Sequence, residues 1–154
     1  MDKTDIALLT ELQRNGRISN TELAEKVRLS PSACLRRVQK LEADGVIAGY
    51  MAQLDPIRLG LGLQAFVRVQ LTAHDGDAIE RFVERIERWD EVVACYALTG
   101  DMDYLLQIVV ADLDHFSQVL LDRLLKSGGV GDVNTSFVLR TVKPPGGLPL
   151  NAVS

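Results

Sequence analysis

Ser19-Asn20-Thr21-Glu22-Leu23-Ala24-Glu25-Lys26-Val27-Arg28-Leu29-Ser30-Pro31-Ser32-Ala33-Cys34-Leu35-Arg36-Arg37-Val38-Gln39-Lys40-Leu41 decides how the chain is read. It holds two helix starts in succession. Ser19 stands three residues before Glu22, so its hydroxyl can cap a helix while the Glu22 carboxylate closes a capping box. Leu23, Ala24 and Val27 supply the apolar face of that short helix. Ser30 caps the second start, with Pro31 at the first helical position, where a missing N–H costs nothing. This helix is predicted from Pro31 to Asp44, ending at Gly45. Two helices joined by a turn of about three residues form a helix-turn-helix, whose second helix can enter the major groove of a duplex.

Upstream, Ile6, Leu9 and Leu12, flanked by Ala7 and Leu8, predict a helix from Asp2 to Asn15 with Gly16 as its C-terminal glycine. Downstream, Val46 to Leu54 reads as a strand pair or wing before Asp55-Pro56. At about 100° per residue, Cys34, Leu35, Val38 and Leu41 fall on the packing side of the second helix. Ser32, Ala33, Arg36, Arg37 and Lys40 fall on the other. Arg36 is the best placed for a bidentate contact to guanine O6 and N7, and Arg37 and Lys40 suit phosphates. The candidate DNA-binding residues are therefore Ser30, Ser32, Ala33, Arg36, Arg37 and Lys40. A charged stripe is often just a solvated face, but here caps, turn, Ser-Pro start and wing occur together. Glu42 and Asp44 weaken the local field, so affinity calls for a dimer on two half-sites.

Past Leu59-Gly60-Leu61-Gly62 the period changes from helical to alternating. Leu63 to Ala73 puts Ala65, Val67, Val69 and Leu71 on one face and Gln64, Phe66, Arg68 and Gln70 on the other. A helix over Asp77 to Trp89, strands over Val92 to Leu98 and Tyr104 to Val110, a helix over Leu113 to Leu125 and a strand over Asp132 to Val142 complete a β-α-β-β-α-β order. The fold class is α+β: an N-terminal winged helix-turn-helix followed by a ferredoxin-like sandwich. The expected division is 1–60, a DNA-binding domain with linker, 61–142, an effector-binding and oligomerisation domain, and 143–154, a tail. Lys143-Pro144-Pro145-Gly146-Gly147 breaks regular structure, and the tail reads as a mobile extension.

With 47% hydrophobic and 25% charged residues the chain is ordinary for a globular protein, which excludes disorder. The formal charge of −4 argues against DNA only until it is divided. Residues 1–60 carry 9 basic and 8 acidic side chains, a net +1, whereas 61–154 carry 8 and 13, a net −5. The longest apolar runs fall short of the roughly 20 residues of a membrane span, so no membrane partner is expected. Met1 to Asp5 lacks a basic-then-apolar signal, which predicts a cytoplasmic protein. Cys34 and Cys95 read as small buried hydrophobes, with neither disulfide nor metal expected. His74 and His115 are the only imidazoles and read as surface histidines, in no metal or triad spacing. Catalytic residues, metal and cofactor are each expected to be none.

Leu29 to Val38, followed by Leu41-Glu42-Ala43-Asp44-Gly45-Val46-Ile47, strongly resembles the Lrp/AsnC (feast/famine) family of bacterial and archaeal transcription regulators. Thr99-Gly100-Asp101-Met102-Asp103-Tyr104-Leu105-Leu106 looks like that family's effector loop, and Gly129-Val130 with Thr135-Ser136-Phe137-Val138 like its final strand. The resemblance covers nearly the whole chain. It implies double-stranded DNA as partner, a homodimer built through the sheets, assembly into octamers or related rings, and an amino-acid effector bound between dimers. Carried over to this sequence, the effector contacts are Gly100, Asp101, Asp103, Leu113, Thr135, Ser136 and Phe137. Asp101 and Asp103 suit an effector's ammonium group, and the Thr135 and Ser136 hydroxyls its carboxylate. The bland alternative makes Gly100-Asp101 a hairpin turn, and Tyr104 reads as sheet core. Two other functions stand beside the regulator. One is an enzyme of the same architecture resembling sirohaem decarboxylases, the other a metabolite sensor that does not bind DNA.

Overall fold

The computed structural model describes residues 1–152, and its contacts gather into two compact units. One is Met1–Gln53 together with the C-terminal segment from Lys143, and the other is Leu54–Val142.

The first unit contains α1 (Lys3–Arg14), α2 (Asn20–Lys26) and α3 (Pro31–Ala43). Each start is fixed by local chemistry. Asp2 and Asp5 form a reciprocal capping box at α1, with bonds of 2.9 and 2.8 Å, and Ser19 and Glu22 form another at α2, at 3.2 and 3.1 Å. Ser30 accepts from the Ala33 N–H at 3.3 Å, with Pro31 opening α3. α3 ends in a Schellman arrangement, with Gly45 at φ 71°, its N–H donating to Glu42 O at 3.0 Å and the Val46 N–H to Leu41 O at 2.9 Å. Leu8, Leu23, Ala24 and Cys34 form the small core, with Leu12, Ile18, Val27, Leu29 and Val38 packed around it. The turn between α2 and α3 holds Arg28 at φ 56°, a left-handed position normally left to glycine.

Four expectations for this unit fail. Val46 to Leu54 forms no strand pair. The stretch lacks a residue pair of the Asn-Gly or Asp-Gly kind that closes a two-residue hairpin. Leu35 is 47% exposed rather than packed, because it lies about 100° from Cys34 around the helix. Gly16 is not left-handed, and Asn15 caps α1 at φ −145° instead. The tail is not free. The Leu148 N–H donates to Gln13 Oε1 at 2.6 Å, Gln13 Nε2 donates to the Leu148 carbonyl at 3.3 Å, and Leu150–Ala152 forms a 3₁₀ turn.

The second unit contains β1 (Leu63–Leu71), α4 (Gly76–Glu87), β2 (Val92–Ala97), β3 (Tyr104–Val110), α5 (Leu113–Ser117) and β4 (Val130–Phe137). α5 widens into π-type turns over Gln118–Leu125. The sheet is antiparallel in the order β2-β3-β1-β4, the ferredoxin-like arrangement. Strand alternation sends Ala65, Val67, Val69, Leu71, Leu106, Ile108 and Val110 into the core, against Phe82, Ile86, Phe116, Val119 and Leu124. Phe82 and Tyr104 lie 4.7 Å apart between ring centroids, so Tyr104 packs on the core as expected.

The last strand ends at Phe137 instead of Val142, leaving Leu139 98% and Val142 84% exposed. Beyond the Val138 N–H bond to Gln64 O, β1 offers only its first residue as a partner. Cys95 is exposed, in contrast to buried Cys34, because β2 is a sheet edge. No helix among the described residues is long and apolar enough to cross a membrane.

Candidate functional site

α3 presents its outer face through Ser32, Arg36, Gln39 and Lys40, all exposed and roughly opposite the buried Cys34 and Leu41. The three cations differ in state. Arg36 is exposed and has no ion-pair partner among the described residues. Arg37 does not belong to that outer face: its Nη1 bonds Asp2 Oδ2 and Asp5 Oδ1, each at 2.8 Å. Asp2 above all, then Asp5, raises the Arg37 pKa. The Asp2 carboxyl is held below the usual range, first by the Asp5 N–H and then by Arg37. Arg37 stands about 60° from Cys34 around the helix, beside Leu41, and so reaches α1 rather than solvent. Helical geometry alone contained that signal, and the same geometry puts Gln39 outward, a residue the sequence reading did not select. Lys40 pairs with Asp44 at 2.6 Å across one turn, and both remain exposed, so the pair holds it only weakly. Ser30 is occupied as the cap of α3, and Ala33 is half-buried.

In the sheet unit the candidate effector residues separate into groups along β1. Asp103 lies at one end, where its N–H donates to Val69 O at 2.9 Å. Its carboxylate accepts from the Leu71 N–H at 2.7 Å and meets His74 Nε2 at 3.0 Å. The Leu71 N–H first, and His74 after it, hold this carboxyl below its ordinary range. Asp103 therefore holds its own loop onto β1, with acceptor positions of its carboxylate taken by the Leu71 N–H and His74. Gly100, at φ 109°, and exposed Asp101 lie in the same loop, closed by the Leu98 N–H to Asp103 O at 2.8 Å. Thr135 and Ser136 sit opposite Val67 and Phe66, and Phe137 opposite Ala65, with its ring edge-on to Phe116 at 5.0 Å. Leu113, 58% exposed, follows the strand whose Val110 pairs with Leu63. At about 3.3 Å per residue the two ends of this set are roughly 13–20 Å apart.

The histidines are less plain than surface residues. His74 is 60% exposed in its side chain but bound to Asp103. His115 is half-buried and meets Glu91 at 3.3 Å, and Glu91 also accepts from Arg123 at 2.9 Å. Among the described residues no group of three or more His, Cys, Asp or Glu is placed to hold a metal ion.

A family model of the Lrp/AsnC ligand-binding domain matches residues 64–148, and one of a winged helix-turn-helix DNA-binding domain matches residues 1–48. The chain belongs to the Lrp/AsnC family. Leucine-responsive regulatory proteins are similar along most of its length. That of Haemophilus influenzae is 43% identical over 93% of this chain and 86% of its own, and that of Escherichia coli K12 41% identical over 93% and 87%. Among solved structures, a transcriptional regulator of Neisseria meningitidis in complex with L-methionine is 49% identical, with a TM-score of 0.96 over 100% of this chain and 99% of the other. An AsnC-family regulator of Agrobacterium tumefaciens is 35% identical, with a TM-score of 0.92 over 98% of both.

This Lrp/AsnC chain is thus a DNA-binding transcriptional regulator with a ligand-binding domain, and its relatives are regulators rather than enzymes. The winged helix-turn-helix match covers α1, α2 and α3.

Proposed function

We propose that α3 reads operator DNA through Arg36, with Ser32, Gln39 and Lys40 on the same face, and that an amino acid bound by the sheet unit modulates that reading. The observation that carries it is the contrast between neighbouring cations. Arg37 is spent on Asp2 and Asp5, whereas Arg36 keeps its whole guanidinium fork for guanine O6 and N7. Arg37 then acts as a brace between α3 and α1, and Ser30 acts as a cap. DNA binding belongs to the first unit, and effector binding and assembly to the second.

The spread of Gly100 and Asp101 at one end of β1, and Leu113 and Phe137 at the other, exceeds the span of one amino acid. An effector that touches both groups takes them from different copies of the chain. Asp101 meets the ammonium group, the Thr135 or Ser136 hydroxyl the carboxylate, and Asp103 keeps the loop in register. The Neisseria relative's ligand makes L-methionine the first effector to try. The open face of the sheet, with half-buried Phe66, Leu105 and Val109 around exposed Arg68, suits a second copy. Homodimers formed there assemble further into an octamer or similar ring, acting in the cytoplasm.

Selection of duplexes from random DNA, with and without each amino acid, tests the reading, followed by calorimetry with L-methionine. A preferred duplex whose affinity changes with an amino acid is the expected result. Absence of sequence preference overturns the DNA assignment. Absence of any amino-acid binding at millimolar concentration overturns the effector assignment.

A further inference from the structure

We propose that the C-terminal segment from Lys143 to Ala152 is a strap that completes the DNA-binding unit, clamped to α1 through the Gln13 side chain, and that duplex affinity depends on it. The duplex part rests on the reading of α3 given above. The clamp is two-sided: the Gln13 amide accepts from the Leu148 N–H at 2.6 Å and donates to the Leu148 carbonyl at 3.3 Å. One side chain thus satisfies both backbone groups of one residue, as a neighbouring strand would.

Gly147 lies so close that a Cβ there would stand 2.8 Å from Gln13 Cδ. Any larger residue displaces the amide from its bonds. Leu9 is only 8% exposed, yet it lies outside the cluster built on Leu8, Leu23, Ala24 and Cys34. It shares a cleft with Leu12, Val46, Ile47 and Tyr50, which the tail reaches through half-buried Leu150 and through Leu148, itself 74% exposed. Pro144, Pro145 and Pro149 reduce the chain entropy lost when the segment docks.

The consequence for DNA runs through α1. Asp2 caps that helix, Asp5 lies in its first turn, and both hold Arg37 of α3. A strap that steadies α1 therefore steadies the brace of the reading helix.

Gln13→Ala and Gly147→Val in the full chain test this by hydrogen exchange and by fluorescence anisotropy on the selected duplex. Losing the clamp is expected to speed exchange in α1 and in residues 46–50 by about fivefold or more, with β1 and β3 unchanged as the control for folding. Duplex affinity should fall by a similar factor in both variants. Unchanged exchange in α1 in both variants overturns the strap, and faster exchange with wild-type duplex affinity overturns its role in binding. If the wild type itself binds no duplex, the DNA reading has failed, and the exchange comparison alone decides whether the strap exists.

Discussion

The helical unit buries Leu8, Leu23, Ala24 and Cys34 in one small cluster, whereas the sheet unit buries twelve residues from Ala65 to Leu124 around Phe82. Polar clamps occur in both units, and those of the sheet unit include Arg85 on the Ser127 and Gly128 carbonyls, Glu91 with His115 and Arg123, and Asp103 with the Leu71 N–H and His74. The helical unit carries two capping boxes, the Arg37 bridge from α3 to α1 and the Gln13 clamp on the tail. A few apolar side chains cannot by themselves fix the orientation of α3, so directional bonds supply what burial does not. The sheet unit adds its directional bonds to a larger buried core, because one face of its four strands is covered by helices. Apolar burial thus weighs more in the sheet unit, and caps and clamps weigh more in the helical unit because its core is smaller.

The largest test of this contrast is Phe82→Ala, which empties the centre of the sheet core and should cost about 3–5 kcal/mol by denaturant unfolding. A loss below 1 kcal/mol would break the contrast from the sheet side. From the other side, Arg28→Gly relieves the left-handed turn before α3. It should stabilise the helical unit by about 0.5–1 kcal/mol, read as slower exchange in α2 and α3. Destabilisation would mean that the Arg28 side chain matters more than its backbone conformation.

The smallest effect is expected for Asp103→Asn. The Asp103 carboxyl has its pKa depressed below 3.8 in the folded chain, so its contribution to stability is complete above that value and is lost as the pH falls through the folded pKa. The variant should therefore show a flatter unfolding midpoint between about pH 5 and pH 2, and faster exchange of amides 98–103 at neutral pH. An unchanged acid profile would remove Asp103 from the locking role.

What was legible in the sequence was whatever is encoded within a few residues. Ser19 with Glu22 and Ser30 with Pro31 mark the starts of α2 and α3 where the structure has them, and the alternation from Ala65 to Leu71 identifies the buried face of β1. What remained hidden depends on partners far along the chain. Arg37 meets Asp2, Asp103 meets Leu71, and Gln13 meets Leu148. No periodicity reports the pairs of Asp103 and Gln13, so Asp103 looks like a free group and the tail looks loose, whereas the roughly 60° between Arg37 and Cys34 around α3 sets Arg37 apart from the outer face. Val46 to Leu54 misled for the opposite reason. Its composition suits a strand, but a strand needs a partner, and this stretch has no turn that would provide one from itself.

Base preference of Arg36→Ala on the selected duplex, measured across a salt series beside Lys40→Ala, tests the central assignment most directly. Loss of about 1–3 kcal/mol at one base position is predicted for Arg36→Ala, with preference relaxed there and nowhere else. Lys40→Ala should weaken all duplexes alike and reduce the salt slope by about one. Equal, sequence-blind losses from the two substitutions would contradict Arg36 as the base-reading residue.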